Sequence, residues 1–396
     1  MKAVSIENLD VIFGHGLERS ISMLDEGKTR QEIQEETGNV VGVSNATISV
    51  EQGEICVLMG LSGSGKSSLL RAVNGLNPVT RGSLKVRDGE EMVELNGIDA
   101  NKLRDLRSHR VSMVFQKFAL MPWLSVVDNV AFGLEMQGMG KAERRKRAME
   151  KLDMVGLSEW HDKLPHELSG GMQQRVGLAR AFCMDSDILL MDEPFSALDP
   201  LIRNQLQDEL LELQRKLNKT ILFVSHDLDE ALKIGNNIAI MESGKIIQHG
   251  KPEDIVLRPE TQYVEDFVAH TNPLNVLRGR SLMTALGDLE KVGAALVLNK
   301  HEGTKLIVDD KGELQGAMRG TESLGIAHWQ ESSAIASLSK DTIVMANADI
   351  SMRNALEIRY QTGLPLLLTE NDQVIGVLSD NDFYHALLGK HFSNAA

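Results

Sequence analysis

The chain has 396 residues, 42% of them hydrophobic, and a formal net charge of −14. This length exceeds one compact domain and suits two or three, and the acidic balance excludes a basic surface for nucleic acid and argues against direct binding to anionic lipid. The two cysteines, Cys56 and Cys183, form neither a disulfide framework nor a metal-ligand spacing, and no apolar run approaches a membrane span. With no secretory segment ahead of the first strand, the expectation is a cytosolic chain whose membrane association comes through a partner.

Residues 4–13 read as a strand. Residues 14–39 read as an insertion with two polar, helix-favouring stretches, 17–24 and 29–36, each ended near a glycine. Residues 41–50 alternate as a second strand, and Ile55-Cys56-Val57-Leu58-Met59 is a short apolar run expected to be buried. Then comes Gly60-Leu61-Ser62-Gly63-Ser64-Gly65-Lys66-Ser67, followed by Ser68 and a helical stretch to residue 73. Here the glycines let backbone N–H groups turn toward one point, with a helix N-terminus behind them, which suits a phosphate. Lys66 would reach the β- and γ-phosphates of a nucleoside triphosphate, and the Ser67 hydroxyl would ligate Mg2+.

Further along, Gln116 follows the apolar run 111–115, and the segment 118–123 (Phe-Ala-Leu-Met-Pro-Trp) is either core or an exposed partner surface. Residues 117–167 read as helical, with a charged helix over 141–152. Leu168-Ser169-Gly170-Gly171-Met172-Gln173-Gln174-Arg175 begins another helix. The apolar strand 188–191 runs into Asp192 and Glu193, at the edge where open α/β sheets bind ligands. Asp192 would hold Mg2+ through water, and Glu193 is placed to polarise an attacking water as general base. Pro194-Phe195-Ser196-Ala197-Leu198-Asp199 follows, and a later strand, 220–224, is closed by Ser225-His226-Asp227.

The phosphate loop, the Leu168-Ser169-Gly170-Gly171 segment and the Asp192-Glu193 strand, in this order, resemble the nucleotide-binding subunit of an ABC transporter. That implies a P-loop NTPase cassette with a RecA-like α/β core, an antiparallel β subdomain and a helical subdomain over 117–167. It implies that Gln116 is the Q-loop glutamine and touches the metal, that Asp199 ends the D-loop, and that His226 is the switch histidine on the γ-phosphate. Phe13 either stacks on adenine, as the resemblance implies, or belongs to the core. Ser169, Gly170 and Gly171 would cap the γ-phosphate of a nucleotide held by another copy. With one loop and one signature per chain, complete sites need two cassettes, most simply a head-to-tail pair of copies. Met172 replaces the commoner glutamine of the signature. The 118–123 patch would receive a permease subunit's coupling helix.

The insertion together with Ala197-Leu198-Asp199-Pro200-Leu201-Ile202-Arg203 and 207–214 narrows the resemblance to ATPase subunits of glycine betaine, proline and choline importers, and residues 71–78 and 191–196 lean toward the choline branch. The implied activity is ATP hydrolysis that powers uptake of a quaternary amine. It acts through an integral-membrane permease and, indirectly, an extracytoplasmic solute-binding protein, from the cytoplasmic face of the inner membrane. Another small solute, or a non-transport regulatory ATPase, is the alternative.

The cassette is expected over 1–273. Residues 274–396 are expected to form a tandem CBS-like α/β regulatory domain. Its better copy is the segment 362–368, a turn at Asn371-Asp372-Gln373, the segment 374–382 and a helix, in a strand-turn-strand pattern. A weaker copy has strands at 305–308 and 314–318 around a turn at 309–312. Ser379 and Asp382 match the ribose-holding pair of such modules, whereas Arg319 and Glu322 stand in the first copy. A purely structural pair of modules is the other reading.

Overall fold

A long first strand, buried in two blocks of four residues on either side of the exposed pair Glu7-Asn8, organises the amino-terminal sheet. In the computed structural model, which describes residues 1–196, 198–269, 271–293, 295–299, 303–308, 314–331 and 333–388, β1 is Lys2–Phe13. Helices α1 (Leu17–Asp25) and α2 (Arg30–Thr37) follow, and the chain returns as β2 (Val40–Glu51), antiparallel to β1. These are the two helices expected in the insertion. Their apolar faces pack as a small core of Met23 and Ile33 on Ile12 and Val41.

After β3 (Ile55–Met59) and α3 (Lys66–Val73), β4 (Arg81–Asp88) and β5 (Glu91–Glu94) complete a four-stranded sheet in the order β2-β1-β4-β5. The chain continues as α4 (Ala100–His109), β6 (Val111–Val114), α5 (Val126–Met136), α6 (Lys141–Met154) and α7 (Gly170–Cys183). It then passes through β7 (Ile188–Asp192), α8 (Pro200–Leu217), β8 (Thr220–Val224), α9 (Leu228–Ile234), β9 (Asn237–Glu242) and β10 (Lys245–Gly250).

A six-stranded sheet runs β10-β9-β3-β8-β7-β6, parallel throughout except for the β9–β10 hairpin. Every residue of β3, β7 and β8 is buried. That is why these strands read as unbroken apolar runs: a parallel sheet is covered on both faces. Helices α5, α6 and α7 pack on one another.

The chain divides into two compact units, Met1–Lys251 and the residues from Pro252 onward. The division falls ahead of the 273/274 boundary expected from composition. Leu257, on α10 (Pro252–Leu257), packs in the second unit's core with Leu277, Trp329, Ile358 and Phe383. Helices α11 (Gln262–Val268) and α12 (Gly279–Leu282) lead into a nine-stranded sheet.

The strands of that sheet are β11 (Thr284–Ala285), β12 (Lys291–Val292), β13 (Ala295–Asn299), β14 (Thr304–Val308), β15 (Leu314–Arg319), β16 (Glu322–His328), β17 (Thr342–Asn347), β18 (Leu366–Glu370) and β19 (Gln373–Leu378). Helix α13 (Met352–Thr362) joins β17 to β18, and α14 (Asp380–Leu388) follows β19. Asn371 and Asp372, with φ of 49° and 64°, turn the β18–β19 hairpin where a turn was expected. The second half therefore runs β17-α13-β18-β19-α14. The first half differs: β14 and β15 pair antiparallel, but the next element is strand β16, not a helix. The turn expected at 309–312 lies outside the described residues.

Among the described residues, no helix is long and apolar enough to cross a membrane. Both thiols are buried. Burial pushes the Cys56 thiol far up and the Cys183 thiol up to about 11. A thiol-reactive chromogenic reagent at neutral pH is therefore expected to label neither cysteine until denaturant is added. Rapid labelling of the native chain would contradict this packing.

Candidate active site

The level at which the parallel strands end builds the site. Leu58 on β3 and Asp192 on β7 both lie beside Val224 on β8. The segments leaving these positions, 59–67, 193–199 and 225–227, therefore emerge from one edge of the sheet.

The phosphate loop turns at Gly60, Gly63 and Gly65, with φ of 141°, 78° and 107°. A Cβ at Gly60 would strike the Met241 carbonyl, and one at Gly65 the Gly42 carbonyl, so only glycine fits. Lys66 is 6% exposed, and its Nζ donates to the carbonyls of Gly60 (2.8 Å) and Leu61 (3.0 Å). Burial holds its ammonium below the ordinary lysine value, and the charges of Glu193 and Asp192 partly offset this. The Ser64 N–H closes a turn on the Leu61 carbonyl at 3.1 Å. Ser62 is exposed at the tip, and the Ser68 carbonyl accepts from Asn77 at 3.0 Å.

Asp192 is fully buried. Ser67 Oγ donates to its Oδ1 at 2.7 Å, and Arg71 donates to its Oδ2 at 3.0 Å. Two hard oxygen donors from different elements thus meet at one point, a donor set that fits a divalent cation such as Mg2+.

Glu193 adopts φ 49°, unusual for a residue with a side chain, and its N–H is tied to the Val224 carbonyl at 3.1 Å. Gln116 Nε2 donates to Glu193 Oε2 at 2.9 Å, and His226 Nδ1 lies 3.6 Å from the same oxygen. The three residues from separate motifs converge. Behind them, Phe195 packs on Phe223 with ring centroids 5.7 Å apart, and Ser225 donates to buried Glu230, whose pKa burial pushes up.

Ser169 caps α7, its hydroxyl accepting from the Met172 N–H at 3.3 Å, and Ser169 and Gly170 stand exposed with Gly171 half-buried. Asp199 caps α8 through the Ile202 N–H at 3.1 Å and is also exposed. Ala197, in the same segment, lies outside the described residues. Phe13 ends β1 at 37% exposure. A Cβ on Gly42 would lie 2.6 Å from its ring and 3.1 Å from Ser68 Oγ, so the ring edge lies beside the start of α3.

The 118–123 segment is not core. Trp123 is 73% exposed, and Phe118 and Ala119 turn with φ of 36° and 48°. Arg180 on α7 donates to both carbonyls of that turn, at 3.0 Å to Phe118 and 2.6 Å to Ala119. Beside it runs a groove of about 420 Å³ lined by Phe115, Met121, Phe132, Met136 and Met184.

Sequence reasoning missed Arg71, Gln174 and Arg180. Arg71 had a signal, because it lies four residues after Ser67 on the same face of α3. Gln174 Nε2 donates to the Glu193 carbonyl at 3.3 Å, and nothing in its spacing announced that partner. In the second unit, the Ser379 N–H and hydroxyl both donate to Asp382 Oδ2, at 2.6 and 2.7 Å, and Thr284 donates to Oδ1 at 3.3 Å. That aspartate is buried, and burial raises its pKa.

Comparison with known proteins agrees with this geometry. The ABC transporter family profile matches residues 43–196. The glycine betaine/carnitine transport ATP-binding protein GbuA of Listeria monocytogenes is 41% identical over 395 residues, 98% of this chain and 98% of its own. The glycine betaine transport ATP-binding protein OpuAA of Bacillus subtilis is 45% identical over 325 residues, covering 81% of this chain and 77% of that one. The solved dimeric structure of MJ0796, a bacterial ABC transporter cassette, superposes with a TM-score of 0.54 at 29% identity, covering 63% of this chain and 98% of the cassette. The chain therefore belongs to the ABC transporter ATP-binding subunits and is an ATP hydrolase of that family.

Proposed function

We propose that this chain powers uptake of a quaternary amine of the glycine betaine type. It acts as a head-to-tail pair bound to a membrane permease at the cytoplasmic face of the inner membrane, with a solute-binding protein delivering the amine from outside. The observation that carries the reading is the end-to-end similarity to a glycine betaine/carnitine transport ATPase, insertion and tail included. Uptake of labelled glycine betaine, carnitine, proline betaine and choline into vesicles holding the whole transporter tests it. No uptake of any of the four would reject the amine assignment.

In this reading ATP lies on residues 60–68 with its adenine on Phe13, and Ser169, Gly170, Gly171 and Asp199 come from the partner copy. Ser67 and Asp192, joined by Gln116 from its place on Glu193, would hold Mg2+, which when bound would neutralise charge on the β- and γ-phosphates. Glu193 takes the proton of the attacking water. Gln116 and His226 fix that carboxylate's direction, and His226, exposed at the same sheet edge, would contact the γ-phosphate.

Glu193→Gln should still bind ATP but hydrolyse it roughly 10²–10⁴-fold more slowly, so that an ATP-bound dimer accumulates on size exclusion. Lys66→Ala should instead weaken binding. Turnover close to wild type in Glu193→Gln would reject the assignment of the base.

The exposed Trp123, with the methionine-lined groove beside it, suits an apolar helix of the permease. Trp123→Ala is expected to depress transport or assembly well beyond its effect on basal ATPase of the separate subunit. Equal loss of both would place its role inside the fold.

The second unit we read as a CBS-like regulatory domain, supported by the β17-α13-β18-β19-α14 order. The Ser379–Asp382 pair is closed on itself and on Thr284, so a ribose would have to open those bonds. The motifs for ATP chemistry lie within Met1–Lys251, a unit with its own core. A chain ending at Lys251 should keep ATP hydrolysis, whereas transport by its complex should no longer respond to salt or to adenine nucleotides. Matching response curves for full-length and truncated complexes would remove the regulatory role.

A further inference from the structure

The insertion between β1 and β2 touches the phosphate loop. Arg30, the first residue of α2, donates from its guanidinium to the Gly63 carbonyl at 2.9 Å. This arm is built rather than incidental. A capping box fixes the first turn of α2: the Thr29 hydroxyl accepts from the Glu32 N–H at 3.3 Å, and the Glu32 carboxylate accepts from the Thr29 N–H at 2.7 Å. Arg19 on α1 holds Glu36 on α2 at 2.6 and 2.8 Å. Arg81 on β4 ties Asp25 at the end of α1 (2.8 Å) to Asp10 on β1 (2.7 Å). The Met23 and Ile33 core keys both helices onto the antiparallel sheet.

The guanidinium is half-buried, and burial lowers its pKa with no carboxylate among the described residues offsetting it. It is therefore an uncompensated cation within one hydrogen bond of a loop shaped for an anion, and it adds to the positive potential there.

The geometry of the peptide unit says what the contact does. Gly63 C=O and Ser64 N–H belong to one rigid plane and point in opposite directions. In a phosphate-binding nest the N–H groups turn inward and the carbonyls outward. A donor outside the loop that holds the Gly63 oxygen fixes the plane that also carries the Ser64 N–H, the group that closes the loop's turn on the Leu61 carbonyl.

We propose that Arg30 is a positioning residue for the phosphate loop, and that the α1–α2 insertion is a brace that sets this site's affinity for nucleoside triphosphate. This rests on the reading of residues 60–67 as the ATP site. Arg30 contacts none of Gln116, Glu193 and His226, so binding should change and the chemical step should not.

The test uses full-length chain carrying Arg30→Ala, Arg30→Lys or Lys66→Ala, with a fluorescent ATP analogue for Kd and steady-state ATPase for KM and kcat. Arg30→Ala is expected to raise Kd and KM about threefold to tenfold, the range for a partly exposed charged hydrogen bond, with kcat changed by no more than about twofold. Arg30→Lys, which keeps a cation and a donor, should recover most of the loss. Unchanged Kd and KM in Arg30→Ala would overturn the proposal. So would equal falls in kcat and melting temperature at constant KM. Wild-type binding by Lys66→Ala would reject the loop reading itself. Lost binding in Lys66→Ala with normal Arg30→Ala rejects the brace alone.

Discussion

A carboxylate with no access to solvent at the end of a strand has to have charge brought to it, and the first unit is arranged around that need. Asp192 is the carboxylate, and an unpaired buried charge would cost several kcal/mol. Both partners that compensate it, Ser67 and Arg71, come from α3. Helix α3 is therefore locked to β7, and the loop that opens α3 is held over the edge where β7 and β8 end. The left-handed turn at Glu193 ends the strand directly after the buried carboxylate, and the bond from its N–H to the Val224 carbonyl holds it there.

What was legible in the sequence was local in the chain. The phosphate loop is one continuous segment with glycines at fixed offsets, so its nest could be read from spacing. Glu193 and His226 could be placed because each follows an apolar run that a parallel sheet buries. The partners of Arg180 were not legible. Its hydrogen bonds reach back to Phe118 and Ala119, more than sixty residues earlier, and an arginine inside a helix looks the same whether it faces solvent or a carbonyl. Nor could sequence decide whether 118–123 is core, since phenylalanine, methionine and tryptophan suit an interior and an interface equally. The division between the two compact units follows packing, since Leu257 already enters the second core, whereas the sequence boundary at 273/274 followed composition.

Helix α7 links the two parts of the first unit that the proposed function must connect. At its start, Gln174 bonds the Glu193 carbonyl; further along, Arg180 bonds the turn that leads to Trp123. Residues 174 and 180 are separated by less than two helical turns, a length over which a hydrogen-bonded helix does not stretch. The 118–119 turn is therefore tied to α7 through the Arg180 side chain. Burial lowers the Arg180 pKa, and its two carbonyl partners replace the water it has lost. The same helix carries the exposed Ser169 at its other end.

That serine can serve two partners at once for a reason of hydrogen-bond chemistry. A hydroxyl has one proton to give and two lone pairs to receive. Ser169 spends a lone pair on the Met172 N–H, which caps α7. Its own proton can still be donated, from an exposed position at the positive end of a helix dipole. An aspartate there would cap the helix equally well but would bring a negative charge and no proton. The helix alone does not distinguish serine from aspartate; a phosphate facing it does. Serine followed by two glycines, one exposed and one half-buried, thus caps the helix and leaves a neutral, donor-bearing end, which is what the proposed pair would require of it.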